Sequence, residues 1–306
     1  MEEPPGRHKW GVLENKWRFF QPLYFNPTSN YLLEFLIFIH IYILAALLAI
    51  REALFDSRNK AKIVKFLLQN SEIECHVTVH HKSARLKSEG NLTFYELDLT
   101  NQAQILLLAH QLKSHRFDVA FFAPGIMLSP ENRTSDGVEL HNAVNVVGQA
   151  MLYELIQNEC KRAIFLSSAT ARVACYSKDP NFLSVYAGPY QAYASSKLNL
   201  AVYVKEVAKD RQVTAVSLHP GTVPGHLYKN ANYLVRYLNA TLLPKLMRSP
   251  EMAALVVLHT IFRDDIQPGA YYEDMETVNV ADWVPEEERT RIYETIHRRI
   301  DLWMEK

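Results

Sequence analysis

The sequence predicts an α/β fold built on a mainly parallel sheet, and three observations carry that prediction. Extended and helical patterns alternate from about residue 60 to the C-terminus. The extended runs are short, apolar and bounded by turn residues, as strands buried on both faces are. Hydrophobic residues make up 48% and charged residues 22% of 306, the composition of an ordinary folded chain. Composition also excludes. Thirty-three Lys+Arg balance thirty-three Asp+Glu, so no basic field is present and no nucleic-acid partner is expected. Cys75, Cys160 and Cys175 are odd in number and far apart, which argues against a disulfide framework or a zinc site, and no metal is expected. Glycines number only ten, and none lies between Gly11 and Gly90. A glycine-rich phosphate loop is therefore missing from the first 89 residues.

In chain order, residues 1–30 form an aromatic, proline-punctuated tail without the features of a secretory signal. Residues 31–50 are apolar except for Glu34 and His40, and twenty helical residues span the roughly 30 Å of a bilayer core. Lys16 and Arg18 precede this segment, while Arg51, Arg58, Lys60, Lys62 and Lys65 follow it. The positive-inside rule then places the C-terminal bulk on the cytoplasmic side of a membrane. A buried central strand or core helix is the alternative, because Ile37, Ile39, Ile41 and Ile43 alternate. Residues 51–60 read as a linker, 61–285 as the main domain and 286–306 as a C-terminal amphipathic helix.

Within the domain, residues 62–70 have helical spacing, and Cys75, Val77 and Val79 alternate as a strand. LTFYELDLT (92–100) reads as a second strand, followed by a helix with the stripe Ile105, Leu108 and Leu112. DVAFF (118–122) is a short strand ended by Pro124-Gly125; a helix through Met151, Leu152 and Leu155 leads into the strand AIFLSS (163–168). A helix through 193–207, the strand AVSLHPG (215–221) and a helix start at Ser249-Pro250-Glu251 complete the pattern. Ile292, Ile296, Ile300 and Trp303 put an apolar stripe on the last helix.

Tyr193 and Lys197 stand at i and i+4 on one helical face. An ammonium close to a phenol favours the phenolate, which predicts a lowered tyrosine pKa and a proton carrier usable near neutrality. Ser167 and Ser168 end an apolar strand at the carboxyl edge of the sheet, where α/β folds bind ligands. Asn145 lies in the helical stretch before that strand.

At these residues the chain resembles the short-chain dehydrogenase/reductase family, over roughly residues 61–280. YxxxK falls on Tyr193 and Lys197, the second serine of the Ser-Ser pair on Ser168, and the helical asparagine on Asn145. TSDGVELHNAVNVVGQ (134–149) resembles the T-x-DG-x-E…N-x-x-G signature of the retinol-dehydrogenase-like branch. SSAT, AYASSKL and GAYYEDMET (269–277) are similar to the X-linked dehydrogenase/reductase group. The resemblance implies a Rossmann-like, doubly wound parallel sheet and hydride exchange between NADP(H) or NAD(H) and an alcohol or carbonyl. In that reading Tyr193 passes the proton, Lys197 tunes it and holds the nicotinamide ribose, Ser168 bonds the substrate oxygen, and Asn145 steadies a relay water.

The implied cofactor residues are Asp98 at adenine, the Pro220, Gly221 and Val223 turn at nicotinamide, and Lys197. His81, Lys82 and Arg85, with His80, stand where the 2′-phosphate of NADP would lie; an exposed basic turn is the alternative. Asp98 has its own alternative, a strand-end aspartate capping a turn. The family's TGxxxGxG turn has no counterpart: its strand and turn are lost or replaced by the hydrophobic segment, which leaves strand edges unpaired. NNAG reads Phe122-Ala123-Pro124-Gly125, and a cofactor-facing threonine reads Gly225. Leu227, Tyr228, Tyr233 and Tyr237 lie in the segment that covers the substrate in this family, and their apolar character implies a retinoid, steroid or polyprenoid; a lid against the membrane and a core helix are the alternatives. The expected setting is the endoplasmic-reticulum membrane with the domain facing the cytoplasm, and homodimerisation is an open alternative. A cofactor-deficient pseudo-dehydrogenase acting as a scaffold, or an incomplete isoform, are the rival readings.

Overall fold

The computed structural model describes residues 73–80, 92–209, 214–223, 230, 233, 237, 241–242 and 247–305. The hydrophobic segment at 31–50, the helix expected at 62–70 and the basic turn at 81–85 lie outside the described residues. Among the described residues no helix is long and apolar enough to cross a membrane.

The strands are β1 (Cys75–Val79), β2 (Leu92–Glu96), β3 (Phe117–Phe122), β4 (Cys160–Leu166), β5 (Thr214–His219), β6 (Tyr271–Glu273) and β7 (Glu276–Val278). They form two sheets. β1 and β2 pair in parallel with each other, and β3-β4-β5-β6-β7 form a five-stranded sheet that is parallel except for the final β6–β7 hairpin. The parallel α/β sheet is as expected, and among the described residues it stands as two halves. The strand that would join the halves in the family has no counterpart there, so no ladder links β1 to β3. The edge of β3 follows from this: Phe121 is 40% exposed although the strand is apolar.

Helices cover the five-stranded sheet. α1 (Gln102–Leu112) starts at Asn101, whose side chain accepts from Gln104 N, and buries Ile105, Leu108 and Leu112, the stripe the sequence predicts. The next helix is composite: Leu140–Asn142, a π-helical stretch Ala143–Val147, then α2 (Gly148–Ile156). Gly148 allows α2 to press on the end of β2, because a Cβ there would stand 2.2 Å from the Leu99 carbonyl oxygen. α3 (Pro189–Val207) is almost wholly buried, and α4 (Pro250–Phe262) is capped by Ser249 as the sequence predicts, its side chain accepting from Met252 N.

α5 (Glu286–Met304) buries Ile292, Ile296, Ile300 and Trp303. It is tied down by the signature loop. Asp136 accepts from Trp303 Nε1 at 2.6 Å and from Arg299 Nη1 at 3.2 Å, while Thr134 Oγ1 donates to the same carboxylate at 2.5 Å. The Thr-Ser-Asp-Gly turn is therefore a clasp for the C-terminal helix. Glu139 continues it inward: fully buried, it bonds His141 Nδ1 at 2.7 Å and accepts from Asn142 N at 3.1 Å.

Candidate active site

β4 and β5 run side by side and end together, with Leu166 opposite Leu218. Ligand sites of parallel sheets lie beyond such carboxyl ends. Just past β4, Ser167 N donates to Leu218 O at 2.8 Å, and Ser167 Oγ donates to the Lys197 carbonyl at 2.9 Å, which ties α3 to the strand end. Ser168 follows in extended conformation, and its Oγ accepts from Thr170 N and Thr170 Oγ1.

α3 enters the site through Gly188, whose φ of 89° is a left-handed conformation that suits glycine, and Pro189, whose fixed φ suits a first helical position. Four residues later Tyr193 is buried, and Lys197 one turn on is 3% exposed. Burial raises the Tyr193 phenol to about 12, and a hydrogen bond with Ser168 offsets part of that rise. Burial also brings the Lys197 ammonium down to about 7. Its Nζ donates to the Leu166 carbonyl at 2.7 Å and lies 6.0 Å from the centroid of the Tyr193 ring. The expectation that Lys197 lowers the Tyr193 pKa is corrected here: Lys197 Nζ is turned to a main-chain carbonyl, and loss of hydration dominates the phenol.

Asn145 is fully buried in the π-helical stretch. Its Nδ2 donates to Ile126 O at 3.0 Å and Ser196 Oγ at 2.9 Å, and its Oδ1 accepts from Ile126 N at 2.8 Å. Ser196 in turn donates to the Tyr193 carbonyl at 2.7 Å. Asn145 thus clamps the loop after β3 to the helix that carries Tyr193. Gly125 closes the arrangement, since a Cβ there would stand 3.3 Å from Lys197 Nζ and 3.4 Å from Asn145 Oδ1. Asn145, Ser168, Tyr193 and Lys197 therefore lie around one point past the ends of β4 and β5.

The Pro220-Gly221 turn stands past the end of β5. Gly221 has a φ of 92°, and a Cβ there would meet the Arg248 guanidinium at 2.7 Å. Arg248 Nη1 donates to Pro220 O at 2.6 Å, Nη2 pairs with Asp274, and the neighbouring Arg172 pairs with Glu273. His219 is buried beneath them, and that burial together with the positive Arg172 and Arg248 pulls its imidazole down to about 3. Val223 is half-buried in the same segment. Asp98 is occupied locally, its Oδ1 accepting from Thr100 N at 2.8 Å and Thr100 Oγ1 at 2.7 Å, the turn-capping arrangement. Tyr233 and Tyr237 are 82% and 55% exposed. Leu227, Tyr228, His81, Lys82 and Arg85 lie outside the described residues.

Sequence reasoning missed the parts played by Arg248 and Ser196. Ser196 carried a signal, as the residue just before Lys197 in the YxxxK run, and Gly125 was visible only as the end of the Phe122–Gly125 turn. Gln149 was also missed; its Nε2 donates to Pro124 O at 3.1 Å and Asn145 O at 3.0 Å, which fixes the loop from the other side.

A family model described as the NAD dependent epimerase/dehydratase family matches residues 61–250. The chain is 28% identical over 204 residues to retinol dehydrogenase 12 of Mus musculus, covering 61% of this chain and 62% of that protein. It is 27% identical over 216 residues to polyprenol dehydrogenase of Homo sapiens, covering 63% and 66% respectively. A solved short chain dehydrogenase family protein from Francisella tularensis superposes with a TM-score of 0.50 at 23% identity, over 68% of this chain and 89% of that one. The chain belongs to the NAD dependent epimerase/dehydratase family. It spans somewhat under two thirds of the length of the curated relatives it matches.

The donor set fits one half of a nicotinamide dinucleotide. The buried Lys197 ammonium carries three protons, of which one goes to Leu166 O, and the left-handed Gly221 turn lies at the neighbouring strand end. No glycine-rich turn in the sequence answers to the pyrophosphate half.

Proposed function

We propose that the chain is an NADP(H)- or NAD(H)-dependent oxidoreductase that interconverts a lipophilic alcohol and its carbonyl, of retinoid, steroid or polyprenoid type. The convergence of Ser168, Tyr193, Lys197 and Asn145 past the ends of β4 and β5 carries this reading. The similarity to retinol and polyprenol dehydrogenases supports the substrate class.

In the reducing direction, the Ser168 hydroxyl bonds the substrate oxygen and the Tyr193 phenol hands it a proton; oxidation reverses the transfer. A phenol raised to about 12 stays protonated at neutral pH and so has the proton to give, although as a weak acid, and it becomes an acceptor only when the bound complex offsets its burial. Lys197, one of whose protons goes to Leu166 O, offers its others to the nicotinamide ribose. The cofactor, when bound, exchanges a hydride with the substrate carbon. Asn145 and Gly125 keep the loop after β3 against Lys197. The apolar segment at 31–50 would hold this chemistry at a membrane, where such substrates reside.

The test is NADPH and NADH binding to the full chain in detergent, read by nicotinamide fluorescence, followed by turnover of lipid alcohols. Saturable binding that weakens in Lys197→Ala is expected, with turnover in Tyr193→Phe falling by roughly 10²–10⁴-fold. A folded chain that binds neither dinucleotide overturns the enzyme reading. The second reading, a dehydrogenase fold retained as a binding module, would then stand; the missing glycine-rich turn favours it.

A further inference from the structure

We propose that Glu74, His76 and His115 form a zinc site that fastens the two-stranded sheet to the five-stranded one. One ligand atom from each residue lies within 4.8 Å of the others. Two imidazoles and a carboxylate are the donors zinc favours, and a tetrahedral ion leaves its fourth position to water. Ligands about 2.0–2.2 Å from zinc sit roughly 3.3 Å apart. His76 Nε2 and Glu74 Oε1 are already 3.0 Å apart, and rotation of the exposed Glu74 side chain opens the remaining space.

The outer atoms of both imidazoles are held for this task. His76 Nδ1 is 2.9 Å from the Tyr95 hydroxyl, and His115 Nδ1 is 3.2 Å from Ser114 Oγ. Each bond frees the opposite nitrogen, and the metal-binding tautomer is the one in which Nδ1–H donates outward.

The location gives the ion its purpose. Glu74 and His76 lie at the amino end of β1, and His115 lies just before β3. These are the two strands that no ladder joins, and the catalytic residues stand at the opposite, carboxyl end of the five-stranded sheet. The His76 ring crosses that junction, 4.4 Å from the His115 ring and 5.4 Å from Phe117. An ion coordinated there couples its binding to docking of the sheets. Its place makes it structural, not part of the oxidoreductase chemistry.

The untagged full chain, stripped with chelator and dialysed, would be titrated with Zn²⁺ and, as a spectroscopic probe, Co²⁺. One equivalent, tetrahedral cobalt bands and a raised thermal midpoint are expected. His76→Phe keeps an edge-to-face contact with Phe117, and His115→Asn is compatible with its half-exposed position; each should weaken binding by about tenfold or more and abolish the midpoint shift. X-ray absorption of the zinc-loaded wild type, expected to show two imidazole ligands, decides the matter if a variant does not fold. Substoichiometric binding, zinc without imidazole ligands, or unchanged affinity in both variants overturns the proposal.

Discussion

Lys197 titrates near neutrality because it is buried, and this ties the stability of the whole chain to pH. Its folded pKa of about 7 lies below the roughly 10.4 of an unfolded lysine. Between those values the unfolded chain binds a proton that the folded chain has released, so stability rises with pH. Across that window the slope approaches ~1.4 kcal/mol per pH unit. Tyr193 acts above it: its folded pKa of about 12 exceeds the unfolded value near 10, so stability falls as pH climbs from about 10 to 12. Denaturant midpoints measured from pH 6 to 11 should therefore rise and then turn over. Lys197→Met should remove the rising limb, and a flat wild-type profile between pH 7 and 9 would contradict the assignment. The sequence showed that these two residues share a helical face. It did not show how dry that face is, because burial is set by the strand ends and the loop at 125–126, which arrive from elsewhere in the chain.

Among the elements, two glycines mark places where backbone passes close to a neighbour. A methyl at Gly148 would collide with the Leu99 carbonyl, so Gly148→Ala should cost roughly 1–3 kcal/mol, read as a lowered thermal midpoint with α2 displaced from β2. Gly221→Ala faces both a left-handed φ and the Arg248 guanidinium, and it should weaken nicotinamide cofactor binding more than it lowers the midpoint. The elements themselves were largely legible. The stripe in α1, the Ser249 cap and the four buried positions of α5 follow from local spacing, and so the sequence places them well. The π-helical widening at Asn145 was not legible, since nothing in Val144–Val147 demands it. It arises where the Asn145 amide reaches both Ile126 and Ser196, contacts made across the fold. Arg248 was equally hidden: it meets Pro220 only after the intervening segment has returned it to the turn.

For the molecule as a whole, Asp136 joins the signature loop to the end of the chain. Burial opposes its ionisation, yet bonds from Thr134 and Trp303 and the charge of Arg299 hold its carboxyl below the ordinary value. A lowered folded pKa means the stabilisation is present above the unfolded pKa near 3.9 and is lost as pH falls through the folded one. Asp136→Asn should cost about 1.5–3 kcal/mol at pH 7, the scale of hydrogen bonds to a charged group, and flatten the acid limb of the stability curve. Protease release of α5 ahead of global unfolding would check that the clasp is the cause. The histidine pair at the sheet junction shows the limit of reading such long-range design from a chain: the cysteine spacing argues against zinc, whereas His76 and His115 come together only where the start of β1 meets the residues before β3.

In the described sheets every hydrogen-bonded neighbour is also the next strand in the chain: β1 with β2, and β3 through β7 in unbroken succession. A doubly wound sheet has to return to its centre and place a later strand beside the first one. Among the described residues each ladder can instead be laid down in the order in which ribosomes deliver it, β2 on β1 and then β4 to β7 each on the edge before it.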